Sequence, residues 1–170
     1  MTPVTTTTAP VLVAGIGNIF FGDDGFGVAV ARALAAAPPP GARVLELGIR
    51  AMHLAYELLE PHELFVAVDC VARGGAPGTL YVIEPELGGA TERAPSAHGM
   101  DLTSVLSTVV ALGGRPPPML IVGCEPGDLS PNIGLSAPVE RALDDALALV
   151  RDVVAARLAA RDIPDQEYAP

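Results

Sequence analysis

Val11-Leu12-Val13-Ala14-Gly15-Ile16-Gly17-Asn18-Ile19-Phe20-Phe21-Gly22-Asp23-Asp24-Gly25-Phe26-Gly27 carries an apolar strand into a glycine turn, then a second turn with two adjacent carboxylates, then the start of a helix. The β-branched apolar run ending in glycine reads as a buried strand. Gly15 and Gly17 fit the first half of a G-x-G-x-x-G nucleotide loop, but Phe20 occupies the third glycine position. Charge weighs further against that reading. A phosphate site presents bare backbone N–H groups to an anion. Asp23 and Asp24 repel a pyrophosphate and attract a cation, so the loop suits a metal or another positive group.

The same grammar continues outward. Residues 25–37 read as a helix of small and apolar residues, stopped by Pro38-Pro39-Pro40. Strands follow at 43–47, at 64–68 leading into Asp69-Cys70, at 79–83 and at 119–122. Helices fall at 51–59, ended by Pro61, at 101–112 with Asp101 as its cap, and at 136–160 with Ser136 as its cap. Residues 1–10 form a Thr/Pro tail expected to be disordered, 11–160 a single domain, and 161–170 a polar tail. Fully apolar strands alternating with helices are the pattern of a mostly parallel sheet covered on both faces.

Composition narrows the function classes. The chain has 170 residues, half of them hydrophobic, enough for a real core. A net charge of −10 argues against nucleic-acid and anionic-membrane partners. Cys70 and Cys124 do not make a secreted-type disulfide framework. No basic leader precedes an apolar segment, and arginines interrupt the longest apolar stretches. A soluble, cytoplasmic setting is the expectation.

In a sheet of this kind, ligands gather at the carboxyl ends of the strands. That rule places Asp23-Asp24, Asp69-Cys70 and Gly123-Cys124-Glu125 along one edge, with the loop bearing His98 able to fold over it. Asp24, Asp69 and His98 together suit a divalent transition metal with open coordination positions. Each residue also has a plain reading. Asp24 beside Gly25 is equally a helix cap, and a loop histidine is commonly a surface residue. An aspartate closing an apolar strand is more telling, because ionised groups rarely sit near a core without a task. His53 reads as a half-buried packing residue and His62 as solvated. Cys70 and Cys124 read as small core residues, with soft contacts to a metal as the sharper alternative. Neither a Gly-x-Ser-x-Gly elbow nor a His-Glu-x-x-His helix is present.

Six segments in this order resemble the hydrogenase maturation proteases, which trim the large subunit of nickel–iron hydrogenases. They are Gly15 to Gly27 as quoted above, Ala67-Val68-Asp69-Cys70, Pro77-Gly78-Thr79-Leu80, Ala97-His98-Gly99-Met100, Val122-Gly123-Cys124-Glu125-Pro126 and Asn132-Ile133-Gly134-Leu135-Ser136. The resemblance implies an α/β, three-layer α/β/α domain of phosphorylase/hydrolase-like type. Its five-stranded mixed, mostly parallel sheet would have the order 2-1-3-5-4, with the fourth strand antiparallel. It also implies metal binding by Asp24, Asp69 and His98. The activity implied is removal of a C-terminal extension from the large-subunit precursor after nickel insertion. The nickel would arrive with the substrate, and other divalent ions would act as surrogates.

Catalytic roles fall on Asp24, Asp69 and Asp23. The metal either activates the scissile carbonyl or water, or only positions the peptide while a carboxylate acts as general base. Many family members carry Asp-Gly-Gly-Thr after the second strand. This chain has Glu46-Leu47-Gly48-Ile49-Arg50 instead, which assigns Glu46 and Arg50 to substrate recognition. The alternative is a non-catalytic nickel-binding chaperone or assembly factor using the same ligands.

Overall fold

The computed structural model describes residues 9–85 and 102–161. Five strands, β1 (Val11–Ile16), β2 (Ala42–Gly48), β3 (Leu64–Cys70), β4 (Leu80–Ile83) and β5 (Met119–Cys124), form one sheet in the order β2-β1-β3-β5-β4. β1 runs parallel to β2 and β3, β3 parallel to β5, and β4 antiparallel to β5. This is the mixed, mostly parallel sheet implied by the resemblance. The helices are α1 (Phe26–Ala36), α2 (Ala51–Glu57), α3 (Leu102–Ala111), α4 (Ala137–Arg141) and α5 (Leu143–Arg161).

Strand period two divides the core. Val11 and Val13 of β1, with Val66 and Val68 of β3, join one cluster with Phe26, Val30 and Leu34 of α1 and Val150 of α5. Leu12, Ala14 and Ile16, with Phe65 and Ala67, join the other with Leu54 of α2 and Val105 and Val109 of α3. The central strands are buried on both faces, which is why they are apolar without alternation. Each such aliphatic side chain contributes about 1.5–3 kcal/mol of burial.

Three boundaries differ from the sequence reading. β3 extends through Asp69 and Cys70, so the aspartate is part of the strand. The expected helix over 136–160 is two helices, separated at Ala142, whose N–H donates to Val139 O at 3.1 Å. That three-residue return is the tighter 3-10 type of bond common where helices end. Asp101, the expected cap of α3, lies outside the described residues, as do residues 1–8, 86–101 and 162–170.

The two unused-looking glycines of the opening motif make the central contact. A Cβ on Gly15 would lie 2.1 Å from Gly27 O and 2.5 Å from Ala31 Cβ. A Cβ on Gly27 would lie 2.0 Å from Val68 O and 2.4 Å from Ile16 O. Backbone of α1 therefore rests on backbone of β1 and β3 with no side chain between. Gly27→Ala is expected to destabilise the fold by about 3 kcal/mol or more, because the obstructing atoms are main chain. Urea unfolding checks this; an unchanged midpoint contradicts the close-approach account.

Candidate functional site

The acidic loop after β1 is a 3-10 turn over Gly22–Gly25, packed on β3. Its two carboxylates are both buried, Asp23 at 0% and Asp24 at 1% exposure. They have different partners. Asp23 Oδ2 accepts from Gly127 N at 2.7 Å, Asp128 N at 2.8 Å and Ser136 Oγ at 2.8 Å, while Oδ1 accepts from Ser136 N at 2.6 Å. A carboxylate has about four acceptor positions. Asp23 receives four donors, three on Oδ2 and one on Oδ1, and so ties the acidic turn to the segment from Gly127 to Ser136. Main-chain bonds reinforce the seam, from Gly22 N to Asn132 O at 2.9 Å and from Asp23 N to Asp128 O at 2.9 Å. The Asn132 to Ser136 motif is thus stitched to the acidic turn. Ser136 precedes α4, but its hydroxyl serves Asp23 rather than capping that helix.

Asp24 points the other way. Its Oδ2 accepts the Asn18 N–H at 2.7 Å, and the residue at the head of α1 is Gly25. The cap reading of Asp24 is therefore replaced by a bond back to the glycine turn. Gly17 lies between Asp24 and Asp69. It has φ +125°, and a Cβ there would lie 1.8 Å from Asp24 O and 3.7 Å from Asp69 Oδ1. Only glycine fits a conformation and a gap of this kind. Asp69 is 5% exposed and accepts the Cys70 N–H on Oδ1 at 2.7 Å. Burial pushes its carboxyl up to about 7 against the pull of the Cys70 N–H, and the charge of Asp24 adds to the rise.

Asp24 and Asp69 thus form an electrostatically strained acidic pair, which a divalent cation would relieve. Oxygen donors of this type suit hard and borderline divalent ions. His98, the third expected ligand, lies outside the described residues. Among the described residues no group of three or more His, Cys, Asp or Glu side chains is arranged to hold a metal.

The other sequence candidates settle as follows. Glu46 accepts two bonds from Arg32 of α1, at 2.7 and 3.1 Å, in an exposed bidentate pair. Arg50 donates to Leu47 O at 3.0 Å and to Glu46 O, so its guanidinium braces the turn after β2 through main-chain carbonyls. Cys70 and Cys124 are free, buried and paired across β3 and β5. Burial, then neighbouring carboxylates, pushes the Cys70 thiol far up and the Cys124 thiol to about 12. In the metal-free protein both are neutral thiols packed among core residues.

The histidine readings reverse. His53 is exposed beside Glu57 at 3.3 Å, because the buried face of α2 is Leu54 and Ala55. His62 is buried, with Nδ1 2.8 Å from Ala9 O. Sequence reasoning gave Glu125 no role of its own. It is 5% exposed and accepts Arg73 N at 2.8 Å, Gly74 N at 3.0 Å and Tyr81 Oη at 2.9 Å. Burial raises its pKa, but these donors outweigh that and leave it lowered. The signal was available: a carboxylate directly after an apolar strand needs donors, and the Gly74-Gly75 loop supplies them. A hollow of about 580 Å³ lies along β4, lined by Arg73, Tyr81 and Glu84 among others, and includes neither Asp24 nor Asp69.

The family profile described as HycI, hydrogenase maturation protease, matches residues 28–153. The chain belongs to the hydrogenase maturation proteases. It is 32% identical over 149 residues to the hydrogenase 2 maturation protease of Escherichia coli K12, covering 84% of this chain and 91% of the relative. It is also 32% identical over 174 residues to the hydrogenase expression/formation protein HoxM of Azotobacter vinelandii, covering 96% and 83%. The solved hydrogenase maturating endopeptidase HybD of E. coli superposes with TM-score 0.70 at 26% identity, covering 86% of this chain and 93% of that one. A hydrogenase 2 maturation peptidase from a Thaumarchaeota archaeon gives 0.66 at 30% identity, covering 85% and 97%. Membership makes this chain an endopeptidase of that family, and the acidic edge is the candidate for its working site. No helix among the described residues is long and apolar enough to cross a membrane.

Asp69 makes a pH signature. Unfolded, it titrates near 3.8; folded, near 7. The folded state holds its proton more tightly, so this group's contribution to stability falls as pH rises between those values and is level above them. In chelator-treated protein, Asp69→Asn is expected to gain on wild type across that window by up to a few kcal/mol. Urea unfolding as a function of pH measures it; parallel curves for the two proteins contradict the raised pKa.

Proposed function

We propose that this chain removes a C-terminal extension from a nickel–iron hydrogenase large-subunit precursor once nickel has been inserted. One observation supports the proposal: in a hydrogenase maturation protease chain, Asp24 and Asp69 are both buried at the carboxyl edge of the sheet, and the charge of Asp24 acts on the carboxyl of Asp69. A nickel ion carried by the substrate is the group that this pair recognises, with His98 as the third ligand. A precursor without nickel lacks that anchor, so cleavage waits for metallation.

The rest of the chemistry follows from what each carboxylate has left to offer. Asp23 is engaged by four donors and holds the loop that bears Ser136. The general-base role therefore falls to Asp24 or Asp69. A group with a pKa of about 7 is well placed to exchange a proton at neutral pH. The non-catalytic carrier reading has less support, because a nickel carrier is commonly rich in histidine and this chain has three.

The decisive assay incubates the protein with the nickel-loaded large-subunit precursor of the same organism and reads loss of the extension by intact mass. Wild type is expected to cut loaded precursor and leave nickel-free precursor and casein intact. Equal cutting of nickel-free precursor overturns the checkpoint. Asp24→Asn and His98→Ala are each expected to lower the cleavage rate about a hundredfold or more and to weaken cadmium or nickel binding. Arg50→Ala is expected to slow cleavage while metal affinity stays unchanged. A collapse of metal affinity in that variant contradicts a recognition role for Arg50.

A further inference from the structure

Five exposed apolar side chains lie on segments at the carboxyl edge that carries Asp24 and Asp69. Ile19 and Phe20 are 38% and 58% exposed, Ile49 and Met52 are 62% and 53% exposed, and Ile133 is 77% exposed. Isolated apolar residues on a surface need no explanation. These are not isolated, because their loops are hydrogen-bonded to one another. Gly17 N donates to Gly48 O at 3.1 Å, and Gly22 N donates to Asn132 O at 2.9 Å. Ile19 and Phe20 lie between those two attachment points. Ile49 follows the first acceptor and Ile133 follows the second.

Charge sets this surface apart from the rest of the molecule. Residues 18–21, 48–52 and 131–135 include a single charged side chain, Arg50, in a chain of net charge −10. Asp128, further back on the last loop, keeps its carboxylate on the Ser130 N–H at 2.8 Å and the Asn132 amide at 3.2 Å. The acids on these same loops are held inward: Asp23 and Asp24 are buried, and Asp128 is bonded within its own turn. The exposed side chains of the three segments are therefore apolar apart from Arg50 and Asn132, and they lie at the carboxyl edge that also carries Asp24 and Asp69.

We infer that Ile19, Phe20, Ile49, Met52 and Ile133 form the docking collar for an apolar stretch of the large-subunit precursor beside its nickel. This rests on the function proposed above. The collar supplies affinity that the metal contact alone does not, and it selects a peptide with hydrophobic side chains flanking the metal. Arg50 adds a positive charge at the rim, which disfavours a cationic flank.

The test compares wild type with Phe20→Ser/Ile133→Ser, using Val110→Ser as a control. Val110 is 60% exposed on α3, outside the three loops. Binding of the nickel-loaded precursor is measured at a temperature where cleavage is slow, alongside cadmium titration and thermal melting of each protein. The double variant is expected to bind precursor about tenfold or more weakly, with cadmium affinity and melting unchanged. Val110→Ser is expected to bind and cleave as wild type does. Equal precursor affinity in the double variant overturns the collar. So does a wild-type dimer in sedimentation that the double variant disperses, since the collar would then be a self-association face. Wild type that binds precursor without ever cutting it overturns the proposed function, while the binding comparison still decides the collar.

Discussion

Helix α1 lies on the backbone of β1 and β3, and that approach arranges the carboxyl edge. The space is made by Gly15 on the strand and Gly27 on the helix, whose absent side chains let carbonyl oxygens come within the radius of a methyl group. A helix so placed must begin close to the strand end, so the chain between them is confined to a short, doubly turned loop. Asp23 and Asp24 lie in that loop, one facing the segment after β5 and the other facing β3. Standing α1 off by an ordinary side-chain layer would carry the acidic turn away from Asp69. The glycines that look like a phosphate loop thus serve helix packing.

The two adjacent aspartates are held in different ways. Asp23 accepts four hydrogen bonds from N–H and O–H donors, and it joins residues more than a hundred positions apart in sequence. Buried charges are tolerated when satisfied in this way. Burial, and then the charge of Asp24, raises the carboxyl of Asp69 to about 7, so it carries a proton part of the time near neutral pH. The bonds made by Asp23 fix the turn that also bears Asp24. A site of this kind is expected to cost stability, and the double-sided apolar core behind it absorbs that cost.

Much of this was legible in the chain. The unbroken apolar runs announced a sheet buried on both faces, and the carboxyl-edge rule placed Asp23, Asp24 and Asp69 near the strand ends where the structure has them. The strand order came from the resemblance, because nothing in strand composition says that β4 runs antiparallel. The roles of Asp23 and Asp24 could not be separated from sequence, since the donors to Asp23 lie in the distant segment from Gly127 to Ser136. The histidines were misread for a related reason. His53 sits next to buried Leu54, but a helix turns about 100° per residue and carries it to solvent. His62 follows a helix-ending proline, yet the bond to Ala9 comes from a residue 53 positions away. The break at Ala142 has no proline or glycine at that position to mark it in the sequence.

The two buried thiols bear on how the ion is let go. Cys70 and Cys124 flank one another where β3 and β5 end, one residue past the level of Asp69. Thiolates there would grip nickel, copper or zinc with soft, slowly exchanging bonds. Burial, then the surrounding carboxylates, raises both thiols in the metal-free protein, so a metal would have to displace their protons before sulfur could bind it. Under the function proposed above, contact through carboxylate oxygens alone would let the ion exchange readily, and a trimmed subunit would depart with its metal rather than lose it to the enzyme.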